Sequence, residues 1–323
     1  MIIYTKSHNI IQKECISIDQ NIPENVVWID AVNISDEEEE KLEKYFNLDL
    51  PAHKEVQKSF ISNRLYEKYD AIFMTITLHI SDEDNVHDLN AYNITLVIIN
   101  NVLITLRNIK GLSDDIISNI EFKSITGENI CFSILLLILD KILNYIYSFL
   151  EIVDNHLDEK NDNIVAPALI DKKISYKILL KDVSNIGNSV SKTRETLITI
   201  YRAITFLLQT GVVDKHKVFA SHIKMLLKDI DALRDHSTFL AGKINFLLDA
   251  TLGLINIEQN NIIKIFSVVT VIFTPPTLIA SIYGMNFVIM PELKWVVGYP
   301  IALVLMFISG WIPYKYFKKK NWY

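Results

Sequence analysis

The chain has 323 residues, half of them hydrophobic, a net charge of −6 and only two cysteines, Cys15 and Cys131. Two thiols exclude a disulfide framework and fit a reducing compartment, and the acidic balance argues against nucleic acid as a partner. The charge is unevenly placed, because residues 263–323 hold six Lys and one Glu, leaving residues 1–262 with 26 basic and 37 acidic side chains.

The first 110 residues mix strand and helix signals. Residues 25–30 (NVVWID), 71–80 and 93–107 are rich in Val, Ile, Thr and Phe and predict strands, the last split into a hairpin at Asn100-Asn101. Ser35 followed by Glu38 predicts a capping box that opens a helix over residues 36–46. The acidic run 36–40 then falls in the first turn, where carboxylates suit the helix dipole. The opening MIIYTK lacks the charged region and long apolar core of a signal peptide.

After about Leu112 the pattern turns helical. No proline stands between Pro167 and Pro275, and apolar spacings of three and four predict helices over 134–156, 169–210 and 213–262. The last is expected to run unbroken to about Ile282, a length of about 100 Å at 1.5 Å per residue. Such a rod needs copies of itself or a shorter helix to pack against. Residues 154–163 (DNHLDEKNDN) predict a polar, loop-like break. Residues 130–139 are strongly apolar, but Asp140 and Lys141 end the run at ten residues, which predicts a buried helix rather than a membrane span.

Two C-terminal stretches are long enough to cross a bilayer, about residues 265–282 and 295–317, and neither 265–291 nor 295–314 contains an ionisable Asp, Glu, Lys, Arg or His. Trp295, Tyr299, Trp311, Tyr314 and Tyr316 sit toward the ends of the second, where amphipathic rings favour headgroups. Two spans put both chain ends on one side. Lys315, Lys318, Lys319 and Lys320 follow the second span, so the positive-inside bias predicts cytoplasmic termini.

Asn260, Ser267, Thr270, Thr274, Thr277 and Ser281 are spaced seven, three, four, three and four. That is a heptad seam, and it puts all six on one helix face. In lipid such a face signifies either close helix packing or contact with water. Asn260 at one end and Asn286 beyond the other keep the aqueous alternative open beside packing. Two spans cannot enclose a channel, so a pore demands several copies about an axis. Pro275-Pro276 removes two backbone donors in mid-span, and the freed carbonyls must meet a neighbour or water. No acid lines the face, so it suits a hydrated ion held through its water by amide and carbonyl oxygens. Mg2+, which sheds water reluctantly, fits best. No GxxxxGK[ST] loop is present and none is required, since two charges crossing ~100 mV release about 4.6 kcal/mol.

YGMNF (283–287), MPEL (290–293), KWVVGYP (294–300), INIEQNNIIKIFS (255–267) and FKKKNW (317–322) resemble the CorA magnesium transporter family, closely over 245–323 and more loosely before that. The resemblance implies an α+β cytoplasmic domain with a mixed sheet and helices (1–112), a helical stalk region (113–262) and a membrane domain (263–323). A very long stalk helix would lead into two transmembrane helices of a homopentameric funnel in the lipid of the bacterial inner membrane. It implies transport rather than catalysis, of Mg2+ and also Co2+ and Ni2+, driven by the membrane potential, gated by intracellular Mg2+ and needing no organic cofactor. Gly284, Met285 and Asn286 would form the outer mouth and Asn260 an inner polar ring, with Thr270, Thr274, Thr277 and Ser281 between them on the path. Asn286 also suits a left-handed helix C-cap. Glu292 would add external negative charge, and Lys318, Lys319 and Lys320 match a basic collar. Regulatory Mg2+ would lie between domains, held by Asp229 and Asp231 opposite Asp82, Glu83, Asp84 or Asp88. His79 and His87 flank that acidic loop and have no part in hard-cation chemistry. Val288 stands where relatives often carry an acid. Thr274 stands where the family's constriction is bulky and apolar, which moves the expected gate toward Ile263 or Phe266. The alternatives are a zinc transporter of the ZntB type, against which the intact MPEL speaks, and a membrane-anchored cation sensor or scaffold that does not conduct.

Overall fold

Strand-forming residues over the first 107 positions assemble into one seven-stranded sheet in the computed structural model, which describes residues 1–7, 10–15, 20, 22–51, 64–81, 86–107, 129–165, 175–212, 217–288 and 290–320. The elements are β1 (Ile2–Ser7), β2 (Ile10–Cys15), β3 (Val26–Val32), α1 (Asp36–Phe46), β4 (Leu65–Lys68), β5 (Ala71–Ile80), β6 (Asn90–Ile99), β7 (Val102–Arg107), α2 (Ile130–Val165), α3 (Tyr176–Gln209), α4 (Lys217–Tyr283) and α5 (Gly298–Lys319). A short 3-10 turn, Pro291–Lys294, precedes α5. Strand order is β2-β1-β3-β7-β6-β5-β4, with β3 and β7 parallel and the other neighbours antiparallel. The chain forms two compact units, Met1–Leu248 and Asp249–Tyr323.

The sheet is buried on both faces, which explains why β5 reads as an almost continuous apolar run rather than an alternating one. Ile72, Met74, Ile76, Leu78 and Ile80 pack with apolar residues of α2, α3 and α4, while Ala71 and Phe73 pack with Leu42 and Phe46 of α1 on the other face. Asn100 and Asn101 take φ of 47° and 64° between the paired residues Ile99 and Val102, as the expected turn requires. Tyr69 and Asp70, at 54° and 59°, make a second such turn between β4 and β5. At α1 the capping box is complete: the Glu38 amide donates to Ser35 Oγ at 3.3 Å, and the Ser35 amide donates to Glu38 Oε2 at 3.1 Å.

The parallel β3–β7 pair carries a buried ionic lock. Arg107 donates to both oxygens of Asp30, at 2.9 and 2.6 Å, and Thr105 Oγ1 donates to Asp30 Oδ1 at 2.7 Å. The Trp28 indole N–H in turn donates to Thr105 Oγ1 at 3.2 Å.

Residues 154–163 are a correction: they form no loop but belong to α2. Val153 and Leu157 face the core, while Asp154 and Asp158 both pair with Lys243 of α4, at 2.6 and 2.7 Å. The polar residues are therefore the outer and ion-paired face of an amphipathic helix. Among the described residues, three helices are long and apolar enough to cross a membrane, but the most apolar window of α2 is 61% buried within the protein, against 6% for those of α4 and α5. Most of the apolar run of α2 is thus packed inside the protein, unlike the windows of α4 and α5.

Removing one partner of the Asp30–Arg107 lock strands a buried charge, at a cost of about 3–5 kcal/mol. Arg107→Met should accordingly lower the melting temperature of the full-length protein in detergent more than the double replacement Asp30→Leu/Arg107→Met does. Equal losses in the two would show that the stranded charge is not the cause.

Candidate functional site

The seam residues lie in the unit Asp249–Tyr323, and their exposure can be compared with that of their neighbours on α4. Val268 is buried, and Ile272, Pro275, Pro276, Ile279 and Tyr283 are partly buried. Ser267, Thr270, Thr274, Thr277 and Ser281 are exposed, as is Asn260. At about 100° per residue the two sets lie roughly half a turn apart around the helix. The buried set is where α5 approaches. A Cβ added to Gly310 would come within 3.3 Å of Pro276 Cγ and 3.4 Å of the Ile272 carbonyl. That carbonyl is the one Pro276 leaves without its helical donor, so glycine lets α5 close over the proline defect.

On the opposite side, Val269, Thr270, Phe273, Thr274, Thr277, Leu278 and Ser281 line an open groove of about 540 Å³. Three hydroxyls there donate to the helix's own backbone: Thr270 to Phe266 O at 2.8 Å, Thr274 to Thr270 O at 2.7 Å and Thr277 to Phe273 O at 2.7 Å. With the donor hydrogens spent internally, what these threonines offer the groove is oxygen lone pairs.

α4 stops after Tyr283. The Gly284 amide donates to Ala280 O at 3.0 Å and the Met285 amide to Ile282 O at 3.2 Å, a tightened last turn. A Cβ on Gly284 would press to 3.3 Å from the Ala280 carbonyl. Asn286 is exposed and does not adopt a left-handed conformation, so it is not the helix C-cap that its residue type allows. Glu292 falls in the 3-10 turn. Lys318 and Lys319 close the last turn of α5, with Lys320 as its C-cap, where cations suit the dipole. Lys318 and Lys320 lie 6.0 and 5.5 Å over the rings of Tyr314 and Tyr316.

The expected regulatory acids are only partly in view. Asp82, Glu83 and Asp84 lie outside the described residues. Asp88, Asp229 and Asp231 are exposed, and Asp231 pairs with Arg234 at 3.3 Å. The charge of Asp229 reaches Asp140 of α2, whose carboxyl is pushed above its ordinary range chiefly by burial and further by Asp229, against the opposing pull of His222. His222 Nε2 sits 2.8 Å from Asp140 Oδ2 and ties α4 to α2. His79 is engaged structurally: its backbone amide donates to Thr196 Oγ1 at 3.0 Å and its Nδ1 lies 2.9 Å from the same oxygen. Gly310 is the functional residue that sequence reasoning passed over, although a Ser-Gly pair inside an otherwise bulky span (residues 309–310) was the available signal.

Comparison with known proteins agrees with this architecture. A family described as "CorA-like Mg2+ transporter protein" matches residues 23–319. The magnesium transport protein CorA of Sodalis glossinidius (strain morsitans) is 34% identical over 311 residues, covering 92% of each chain. That of Haemophilus ducreyi is 32% identical over 310 residues, covering 95% of this chain and 96% of the relative. Among solved structures, the complete CorA magnesium transporter from Methanocaldococcus jannaschii superposes with a TM-score of 0.78 at 23% identity, covering 100% of this chain and 98% of that one. It shares the mixed sheet with helices and the long helix that leads to a C-terminal apolar helix. On the extent and identity of these matches, the chain belongs to the CorA-like Mg2+ transporter family.

Proposed function

We propose that this chain conducts hydrated Mg2+ across a bacterial inner membrane through a homopentameric pore lined by the polar face of α4. Members of its family are transporters, and the chain is not an enzyme. The observation that carries the pore is the exposure of the hydroxyl seam on the side of α4 away from α5. That face is not covered by the chain's own second apolar helix, and the partners proposed for it are water and other copies. The spent donors favour a cation's shell as well, because hydration water around a cation points its hydrogens outward, toward acceptors.

In this account α4 and α5 are the two spans, the Lys-rich end of α5 lies in the cytoplasm, and inward movement is driven by the membrane potential. Asn286 presents a ring of amides at the outer mouth after Gly284 and Met285, and Asn260 forms the ring at the inner end. Thr270, Thr274, Thr277 and Ser281 line the passage between, with Ile263 and Phe266, both exposed, as the apolar constriction. Co2+ and Ni2+ follow Mg2+ because they carry similar octahedral hydration shells. Glu292 raises cation concentration outside, and Lys318, Lys319 and Lys320 anchor the inner end. Intracellular Mg2+ at Asp229 and Asp231, facing the acidic loop of a neighbouring copy, relieves repulsion between carboxylates and holds the pore closed. A zinc carrier of the ZntB type is disfavoured by the MPEL segment, and a non-conducting sensor would have no use for a row of hydroxyls along an open groove.

Uptake into proteoliposomes tests both halves. Each amide contact to the ion's water is worth on the order of 1 kcal/mol, so Asn286→Ala should cut Mg2+ flux by about tenfold or more while the protein still folds. Equal and equally selective flux would remove Asn286 from the filter. Asp229→Ala should leave flux intact at low internal Mg2+ and raise it at high internal Mg2+. Unchanged inhibition would reject the regulatory site without touching the pore.

A further inference from the structure

His87, read from sequence as a bystander of the acidic loop, has company. It stands on the segment before β6 and meets His156 of α2 and Asp182 of α3, and one ligand atom from each lies within 4.8 Å of the others. His87 Nε2 is 3.1 Å from Asp182 Oδ1, His156 Nε2 is 3.8 Å from Asp182 Oδ2, and the two imidazoles meet edge to face at 5.5 Å. All three side chains are largely withdrawn from solvent. His156 Nε2 is buried with no hydrogen-bond partner. A desolvated ring nitrogen without a partner, aimed at a carboxylate beyond hydrogen-bond reach, is a lone pair that an ion could use.

We infer that His87, His156 and Asp182 form a binding site, within one chain, for a borderline divalent transition ion of the Zn2+, Co2+ or Ni2+ type. Two imidazoles and one carboxylate select such ions over Mg2+, which prefers oxygen and keeps its water. Tetrahedral coordination at about 2.1 Å places ligand atoms about 3.4 Å apart, so the His87–Asp182 edge is already near its bound length and His156 has only to close inward. Lys160 Nζ holds Asp182 Oδ2, the oxygen that His156 faces, at 2.7 Å. It orients Asp182 as an outer partner and also offsets its charge, which keeps the site weak enough to release its ion. Occupancy would fasten the segment carrying His87 to both α2 and α3, so the site would respond to borderline transition ions rather than to Mg2+. It does not depend on the transport proposal.

The test is a Co2+ titration of chelator-stripped, full-length protein in detergent, followed by visible ligand-field absorption. A strong band of low-coordinate Co2+ should saturate at one ion per chain and survive a large excess of Mg2+. His156→Gln and Asp182→Asn, checked for folding by circular dichroism, should weaken binding at least about tenfold. Lys160→Gln, which frees Asp182 Oδ2 from its competing cation, should tighten it. A band that persists unchanged in the His156 and Asp182 variants, that Mg2+ removes, or that Lys160→Gln leaves unaltered would overturn the site. Loss of pore conduction in Asn286→Ala has no bearing on this band, so the two proposals fail separately.

Discussion

A helix with an apolar surface and one hydroxylated edge has only two places to put that edge: against another helix or against water. In α4 the choice is narrowed by glycine and proline. Gly310 brings α5 onto the Ile272–Pro276 face, where the carbonyl freed by proline lies. The hydroxyl edge is on the far side, and the donors of its three threonines are already committed to carbonyls one turn back. Packing by α5 and exposure of the acceptor edge are thus one arrangement seen from two sides. The transport account rests on it.

The N-terminal unit solves a different problem, which is to hold the first half of α4 on a core broad enough to position it. A sheet buried on both faces supplies that core, with α1 on one side and α2, α3 and α4 on the other. Ionic contacts then set the position of α4 on α2, through His222 with Asp140 and through Lys243 with Asp154 and Asp158. Because these pairs are partly exposed, their individual worth is modest. They fix register more than they add stability. The Asp30–Arg107 lock is of another kind, fully buried and supported by Thr105 and Trp28, and it holds the parallel pair in a sheet that is otherwise antiparallel.

What the sequence made legible was local chemistry. Ser35 and Glu38 announce a capping box because both partners lie within one turn, and Asn100-Asn101 announces a hairpin because few residues accept positive φ twice. The heptad seam was legible for the same reason, since periodicity alone puts its members on one face. What periodicity could not say was which way that face points, because that depends on a contact between residues 272–276 and 310. Residues 154–163 misled because a run of charges resembles a loop until the partner, Lys243, is brought alongside from another helix. The β4–β5 hairpin turns on Tyr69-Asp70, a pair with little turn signature. The meeting of His87, His156 and Asp182 is wholly tertiary, three residues from three segments with no spacing to betray them.

The direct measurement is residue-by-residue water accessibility along α4 in the membrane. With Cys15 and Cys131 replaced by Ser, single cysteines are placed at 267, 270, 274, 277 and 281 and, for contrast, at 268, 272 and 279, then treated with a charged, water-soluble thiol reagent. The account predicts fast labelling at the first five, slowed by Mg2+, and little at the other three. Protection of the hydroxyl positions, or labelling without regard to helix face, would contradict it.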